Sequence, residues 1–397
     1  MTQHSPRGAR HLVIALTVLL GACDGDAAHE SGGTETPTVA THRTEIVDTL
    51  LHTSETNRAE LQVRPADGIV ATEKGVTYLL DAGSASILRI NPTGDSIRSV
   101  GQPGEGPGDL GDPCCLGFVG TSSALLIYEE ANRRYSTFDE GLTFVGSVGV
   151  KWNRLGSIGS VQLANRHILH PRIAFTGLAD PNHPQLLWLD SSGTVVDSEL
   201  VRLPTPMIPV RAHFDIGKGT GMMLEQPFGG TLRYAVSRNG DFAVANSATY
   251  LILLRKPDGS IAELRGPAME GATVTSDERQ KMHDRLEKGL KQFGKRVSDL
   301  PFPIPEHHAP LKAVFFDADA RLWVRYRRSS DAEDMSDIYA PTGEKLWSVT
   351  VPTSLVLAPM SIRGFDGLGV VTDESGFVTL IRLRFVPAPR GPETSSP

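Results

Sequence analysis

Between Arg43 and Pro387 the apolar residues fall in short runs of four to seven, each bounded by Gly, Asp, Asn, Pro or Ser. This pattern belongs to an all-β chain, where strands are short and turns need left-handed or pre-set backbone. The clearest unit is Ile69–Ala71, Val76–Leu80, Ile87–Ile90 and Ser96–Val100, with Asn91-Pro92-Thr93-Gly94-Asp95 as the turn before the last run. Proline fixes φ in that turn and glycine supplies φ > 0.

The unit recurs. A second contains Leu125–Tyr128, Tyr135–Phe138 and Leu142–Val148; a third contains Val161–Leu163, His167–Leu169, Leu186–Leu189 and Thr194–Leu200. A fourth runs from Tyr234 to Leu264, a fifth from Ala313 to Val351, and a sixth from Met360 to Phe385. The turn before the fourth run keeps its character: Asp139-Glu140-Gly141, Asp190-Ser191-Ser192-Gly193, Lys256-Pro257-Asp258-Gly259 and Pro341-Thr342-Gly343-Glu344. The sixth unit lacks a fourth run, and the unassigned segment Thr44–Leu51 can supply it, leaving no open sheet edge. Four strands in such a unit is the size of one propeller blade. The expectation is a six-bladed β-propeller of four-stranded antiparallel blades, closed by an N-terminal strand, with seven blades as the alternative count. A β-sandwich would not require the same turn in each unit.

Length alone would suggest two or three domains for 397 residues, but one ring over 44–387 accounts for it. The same turns account for 40 Gly and 27 Pro. A net charge of −7 argues against a nucleic-acid binder.

The N-terminus carries an address. Arg7, Arg10 and His11 precede the apolar run Leu12–Leu20, which is too short to span a bilayer and fits a secretory signal peptide over 1–22. Leu20-Gly21-Ala22-Cys23 resembles a bacterial lipobox, which implies cleavage before Cys23 and its lipidation. Acyl chains at about 0.8 kcal/mol per buried CH₂ would then hold the chain on a membrane. Residues 23–43 are expected as the lipidated Cys and a disordered tether, and 388–397 as a disordered tail. The expected location is the bacterial cell envelope, on the periplasmic side or the cell surface, with membrane contact only through the lipid on Cys23.

Gly101-Gln102-Pro103-Gly104-Glu105-Gly106-Pro107-Gly108-Asp109-Leu110 resembles the blade linker of bacterial six-bladed, NHL-repeat-like propeller lipoproteins. Pro227-Phe228, Val274–Arg279, Ala320–Val324 and Thr372–Gly376 match the same family in order. Leu110, where Phe is usual, and the Cys114-Cys115 pair depart from it. The resemblance implies the fold and the envelope location. The family carries no established activity, so no catalytic residue follows from it.

Thr275–Phe293 is the one strong helical signal. Thr275 and Glu278 have capping-box spacing, and Met282, Leu286, Leu290 and Phe293 form one stripe. A helix packed on the propeller fits four apolar residues; a lid or docking element is the alternative.

Chemistry is less legible. The 101–108 linker lacks Gly-Lys-Ser/Thr and opens no helix, so it is not a phosphate loop. Cys114 and Cys115 have only each other in an oxidising compartment, either as a vicinal disulfide or as two thiols. No H-E-x-x-H or G-x-S-x-G is present. Innermost propeller strands begin near the channel, so Arg64, Cys114, Gln162, Arg233, Lys312 and Arg363 are the candidate channel-mouth residues. Four of the six are cationic, which fits charged residues exposed on loop ends, with an anionic group bound at the axis as the alternative. The expected function is a monomeric binding or scaffold module for a protein or small-molecule ligand of the envelope. The alternative is a metal-dependent lactonase- or lyase-like enzyme, with a divalent cation such as calcium on the axis.

Overall fold

The computed structural model describes residues 40–52, 63, 68–120, 122–150, 161–162, 167–172, 183–215, 221–374 and 376–388. Strand β1 is Thr41–His52, so residues 41–43 belong to a strand rather than to a tether. The first antiparallel array is β2 (Ile69–Ala71), β3 (Thr77–Asp81), β4 (Ser86–Ile90) and β5 (Ile97–Val100). The second is β6 (Pro113–Phe118), β7 (Leu125–Glu129), β8 (Arg134–Phe138) and β9 (Phe144–Gly149). The third is β10 (Val161–Gln162), β11 (Ile168–Arg172), β12 (Gln185–Leu189) and β13 (Val195–Leu200).

A hairpin of β14 (Arg211–Asp215) and β15 (Gly221–Glu225) follows. The fourth array is β16 (Leu232–Val236), β17 (Phe242–Asn246), β18 (Leu251–Arg255) and β19 (Ile261–Arg265). After helix α1 (Ser276–Lys291) comes the fifth, β20 (Leu311–Phe316), β21 (Leu322–Tyr326), β22 (Asp334–Tyr339) and β23 (Lys345–Val351). The last three strands are β24 (Leu355–Arg363), β25 (Asp366–Thr372) and β26 (Val378–Pro387).

Burial explains this order. Strands β3, β7, β17 and β21 are buried throughout, since each has a neighbour on both sides and packed faces. The fourth strands β5 and β9 are largely exposed or alternate. Strand β23 is more buried than its counterparts, and β1 pairs with it in parallel through Thr41–Arg43. The same β1 runs antiparallel to β26 from His42 to His52, and Leu50 and Leu51 join a core with Ile69, Leu79, Leu368 and Leu380. Strand β24 also pairs in parallel with β2 at Val70 and Met360. These two links merge three arrays into one twelve-stranded mixed sheet.

In four of the five arrays the turn before the fourth strand puts a glycine at positive φ, at 94, 193, 259 and 343. Gly94 has φ +82°, and a Cβ there would lie 2.5 Å from the Leu50 carbonyl oxygen on β1. In the second array the left-handed position falls on Leu142 (φ 64°), not on the adjacent Gly141. Leu142 is buried, so packing holds a backbone that a side chain ordinarily disfavours.

Helix α1 begins with the capping box of Thr275 and Glu278. Leu290 packs with Ala212 and Phe302.

His42 ties β1 down. Its ring stacks on Phe365 at 5.2 Å and tilts against Trp347 at 4.9 Å. Burial holds its pKa below the ordinary value of 6.5. The unfolded chain therefore takes up the proton first. The stability contributed by neutral His42 is complete above the unfolded pKa and is lost as pH falls through the unfolded value toward the folded one. His42→Phe is expected to lose less thermal stability than the parent between neutral and mildly acidic pH. Parallel Tm–pH curves for the two proteins would refute this.

Candidate functional site

The first strands of the arrays lie beside one another: β2 next to β6, β6 next to β10, β16 next to β20, and β20 next to β24. The turns that follow these strands gather side chains from distant parts of the chain. Arg238, in the turn after β16, donates from Nη2 to the Gly120 carbonyl oxygen in the turn after β6, at 2.9 Å. Its guanidinium lies 6.0 Å from the Phe118 ring centroid. Arg363, at the end of β24, donates from Nη2 to the Ala71 carbonyl oxygen at the end of β2, at 3.1 Å. Its Nη1 lies 3.8 Å from Glu73 Oε1. Asp319, in the turn after β20, accepts from the Gly364 amide at 2.7 Å. These contacts join the turn after β16 to the turn after β6, and the turns after β2 and β20 to the turn after β24.

Burial, and then the nearby Arg363 charge, hold the Arg238 guanidinium below its usual pKa range. A like charge close by disfavours the charged form, as desolvation does.

The sequence-derived candidates divide between the two strand ends. Arg363 closes β24, whereas Cys114, Gln162, Arg233 and Lys312 open their strands as second residues. Arg233 and Lys312 are exposed on neighbouring strands β16 and β20. The side chain of Gln162 lies outside the described residues, as do Arg64 and the lipidation candidate Cys23. Cys114 is buried and bonded to Cys115. The register between β6 and β7 shifts between Pro113 and Cys115, and this bulge brings together two side chains that a flat strand would send to opposite faces.

Arg238 was not among the candidates. It lies in the loop-like stretch Ser237–Asp241, and only the common placement of the turns after first strands could have pointed to it.

The acids that a metal would need are engaged within the fold. Glu129, fully buried, accepts from Arg134 Nε at 2.8 Å, Asn132 Nδ2 at 2.6 Å and the Gly111 amide at 2.9 Å. Asp337 accepts from Tyr250 at 2.6 Å and Ser348 at 2.7 Å, with Lys345 Nζ at 2.9 Å. Burial pushes the Tyr339 hydroxyl, 2.9 Å from that of Tyr250, up to about 12. Asp317 accepts from Trp323 Nε1 at 2.8 Å, Arg321 Nε at 2.6 Å and two backbone amides at 2.9 Å. Burial raises its pKa, and Arg321 and Trp323 oppose the rise. Among the described residues no group of three His, Cys, Asp or Glu side chains is placed to hold an ion.

The Gly-rich linker is a strap. Arg134 donates to the carbonyl oxygens of Glu105, Gly106 and Asp109 at 2.8–3.1 Å, and Asn132 donates to that of Gly104 at 2.9 Å. Its carbonyls are therefore turned to cationic and amide donors, the reverse of a phosphate cradle. An open groove beside it is lined by Arg98, Gln102, Asp109 and Phe144. Asp109 is held there by Gln102 Nε2 at 2.9 Å.

No family model and no curated protein sequence matches the chain. The solved structures that resemble it are β-propeller-like proteins. A Bacteroides fragilis protein described as exported matches with TM-score 0.51 at 12% identity, over 87% of this chain and 96% of that one. Virginiamycin B lyase from Staphylococcus aureus matches with TM-score 0.42 at 12% identity, over 86% and 99%. The PQQ-bound aldose sugar dehydrogenase from Streptomyces coelicolor matches with TM-score 0.44 at 11% identity, over 87% and 99%. What the chain shares with the first of these is its fold.

Proposed function

We propose that this chain is an exported lipoprotein, anchored through Cys23, whose propeller has six blades and works as a binding module in the cell envelope. In this reading β1 is the fourth strand of the last blade, and the first strands surround a central axis. The reading rests on one observation above others: where the first strands end, side chains of one array reach the backbone of another, Arg238 to Gly120 and Arg363 to Ala71. Such a site exists only in the folded ring and has polar groups ready for a ligand. Its location follows from the signal and lipobox pattern at 7–23.

Two measurements test the two halves. Cys23→Ser is expected to move the protein from the membrane to the soluble fraction, with loss of the acyl mass from the mature chain. Retention on membranes after the substitution would sink the anchor. The protein as purified is expected to carry no stoichiometric calcium or zinc and to keep its Tm in chelator, because its buried acids are already engaged by internal donors. A bound ion whose removal lowers Tm by many degrees would favour a metal-dependent enzyme over a binding module.

A further inference from the structure

The glycine-rich linker closes one side of a groove between the first two arrays, with a volume of about 430 Å³. The groove has an apolar floor. Phe138 and Phe144 meet edge to face at 5.6 Å, and both belong with Val100 and Leu142 to the core shared by these arrays. Its lining also carries opposite charges. Arg98 stands on β5 directly opposite Arg89 on β4, and like charges so placed repel. Arg89 donates from Nε to the Glu140 carbonyl oxygen at 3.2 Å. Arg98 is exposed and has no hydrogen-bond or ion-pair partner among the described residues. Asp109, on the linker, is half-buried. Gln102 Nε2 donates to its Oδ1 at 2.9 Å, and the Gly106 amide to its Oδ2 at 3.2 Å. A Cβ at Gly104 or Gly106 would lie 2.6 or 2.7 Å from Oδ2, so only glycine lets the linker wrap this carboxylate and fix its direction. A carboxylate accepts about four hydrogen bonds, which leaves Asp109 with capacity unused.

We propose that this groove binds a zwitterion with an apolar side chain, an amino acid or a dipeptide, its carboxylate on Arg98 and its ammonium on Asp109. Each part of the lining finds a counterpart in such a ligand. The carboxylate brings a negative charge to Arg98 and Arg89, and the planar guanidinium fork matches its two oxygens. The ammonium has three donors for the lone pairs of Asp109 that the linker leaves free. The apolar side chain covers Phe144, which is half-buried, and so removes apolar surface from water. A simple anion would be drawn by Arg98 and repelled by Asp109, and a simple cation the reverse; a ligand with both charges satisfies both. The volume is that of a small-ligand site. None of these residues belongs to the turns that carry Arg238 and Arg363, so the groove is a second site that does not depend on the first.

The test uses the mature lipoprotein in detergent, with detergent alone as the blank, and saturation-transfer NMR of the ligand, which reads weak binding. L-phenylalanine and the dipeptide L-alanyl-L-phenylalanine are the probes. Each is compared with its N-acetyl form, which lacks the ammonium, and its C-terminal amide, which lacks the carboxylate. At least one zwitterion is expected to bind, and its two blocked forms about fivefold more weakly, the size of one exposed ion pair. Binding of L-phenylalanine alone identifies a free amino acid as the ligand, and binding of the dipeptide alone a peptide. Arg98→Gln, at an exposed side chain with no partner in the fold, is expected to bind the zwitterion and its amide alike. Asp109→Asn is expected to bind the zwitterion and its N-acetyl form alike. Where the loss of Asp109 loosens the linker and lowers Tm, Arg98→Gln decides alone. The proposal is overturned when neither zwitterion binds, when the blocked forms bind as tightly as their parents, or when Arg98→Gln keeps the preference for a free carboxylate.

Discussion

A chain that begins at Ile69 is expected not to accumulate as a soluble monomer. It lacks β1, which covers the length of β26 and reaches the edge of β23. Removing it withdraws two buried leucines, Leu50 and Leu51, from a core they share with β2, β3, β25 and β26. Those two side chains alone contribute about 3–6 kcal/mol, against a whole-protein stability of about 5–15 kcal/mol. It also leaves the ten-residue β26 with a free edge, a template for pairing with another chain. A control beginning at Ala40 keeps β1 and is expected to match the mature protein in Tm and elution volume. A monomeric Ile69 chain with unchanged Tm would show that β1 does not close the sheet.

The second large effect is expected at Arg325. It donates to Asp334 from Nε at 2.8 Å, to the Leu355 carbonyl at 2.8 Å and to the Pro352 carbonyl at 3.1 Å. One side chain on β21 thereby fastens β22 and the entry to β24. Both members of the pair are under a tenth exposed, so Arg325→Ala leaves a buried carboxylate without its cation. The expected cost is about 3–5 kcal/mol. Arg325→Met/Asp334→Leu is expected to recover most of it, because the charge and its partner leave together. Denaturant unfolding of the three proteins decides the matter. A single-mutant loss below about 1 kcal/mol, the value of an exposed pair, would mean that water replaces the arginine.

Much of the architecture could be read from local signals. The glycine turns at 94, 193, 259 and 343 all have positive φ, as their sequences require. The apolar middle strands, the capping box at Thr275 and the N-terminal strand are also written in contiguous residues. Strand β6 was harder, because Pro113, Gly117 and the paired cysteines obscure its pattern, and its bulge breaks the alternation. The β14–β15 hairpin brackets Gly217-Lys218-Gly219-Thr220-Gly221, whose composition reads as a loop between two units. The candidate site was least legible for a simple reason. Arg238 and Gly120 are 118 residues apart in the chain, and no periodicity reports which turns come together.

The pairing of β1 also sets an order of events. Its Asp48 meets Arg382 across 334 residues, so β1 completes its pairing only once β26 is present. Until β26 is present, Leu50 and Leu51 lack Leu380, the member of their core on that strand. Contacts of such separation slow folding, since loop-closure entropy is lost before the contact forms.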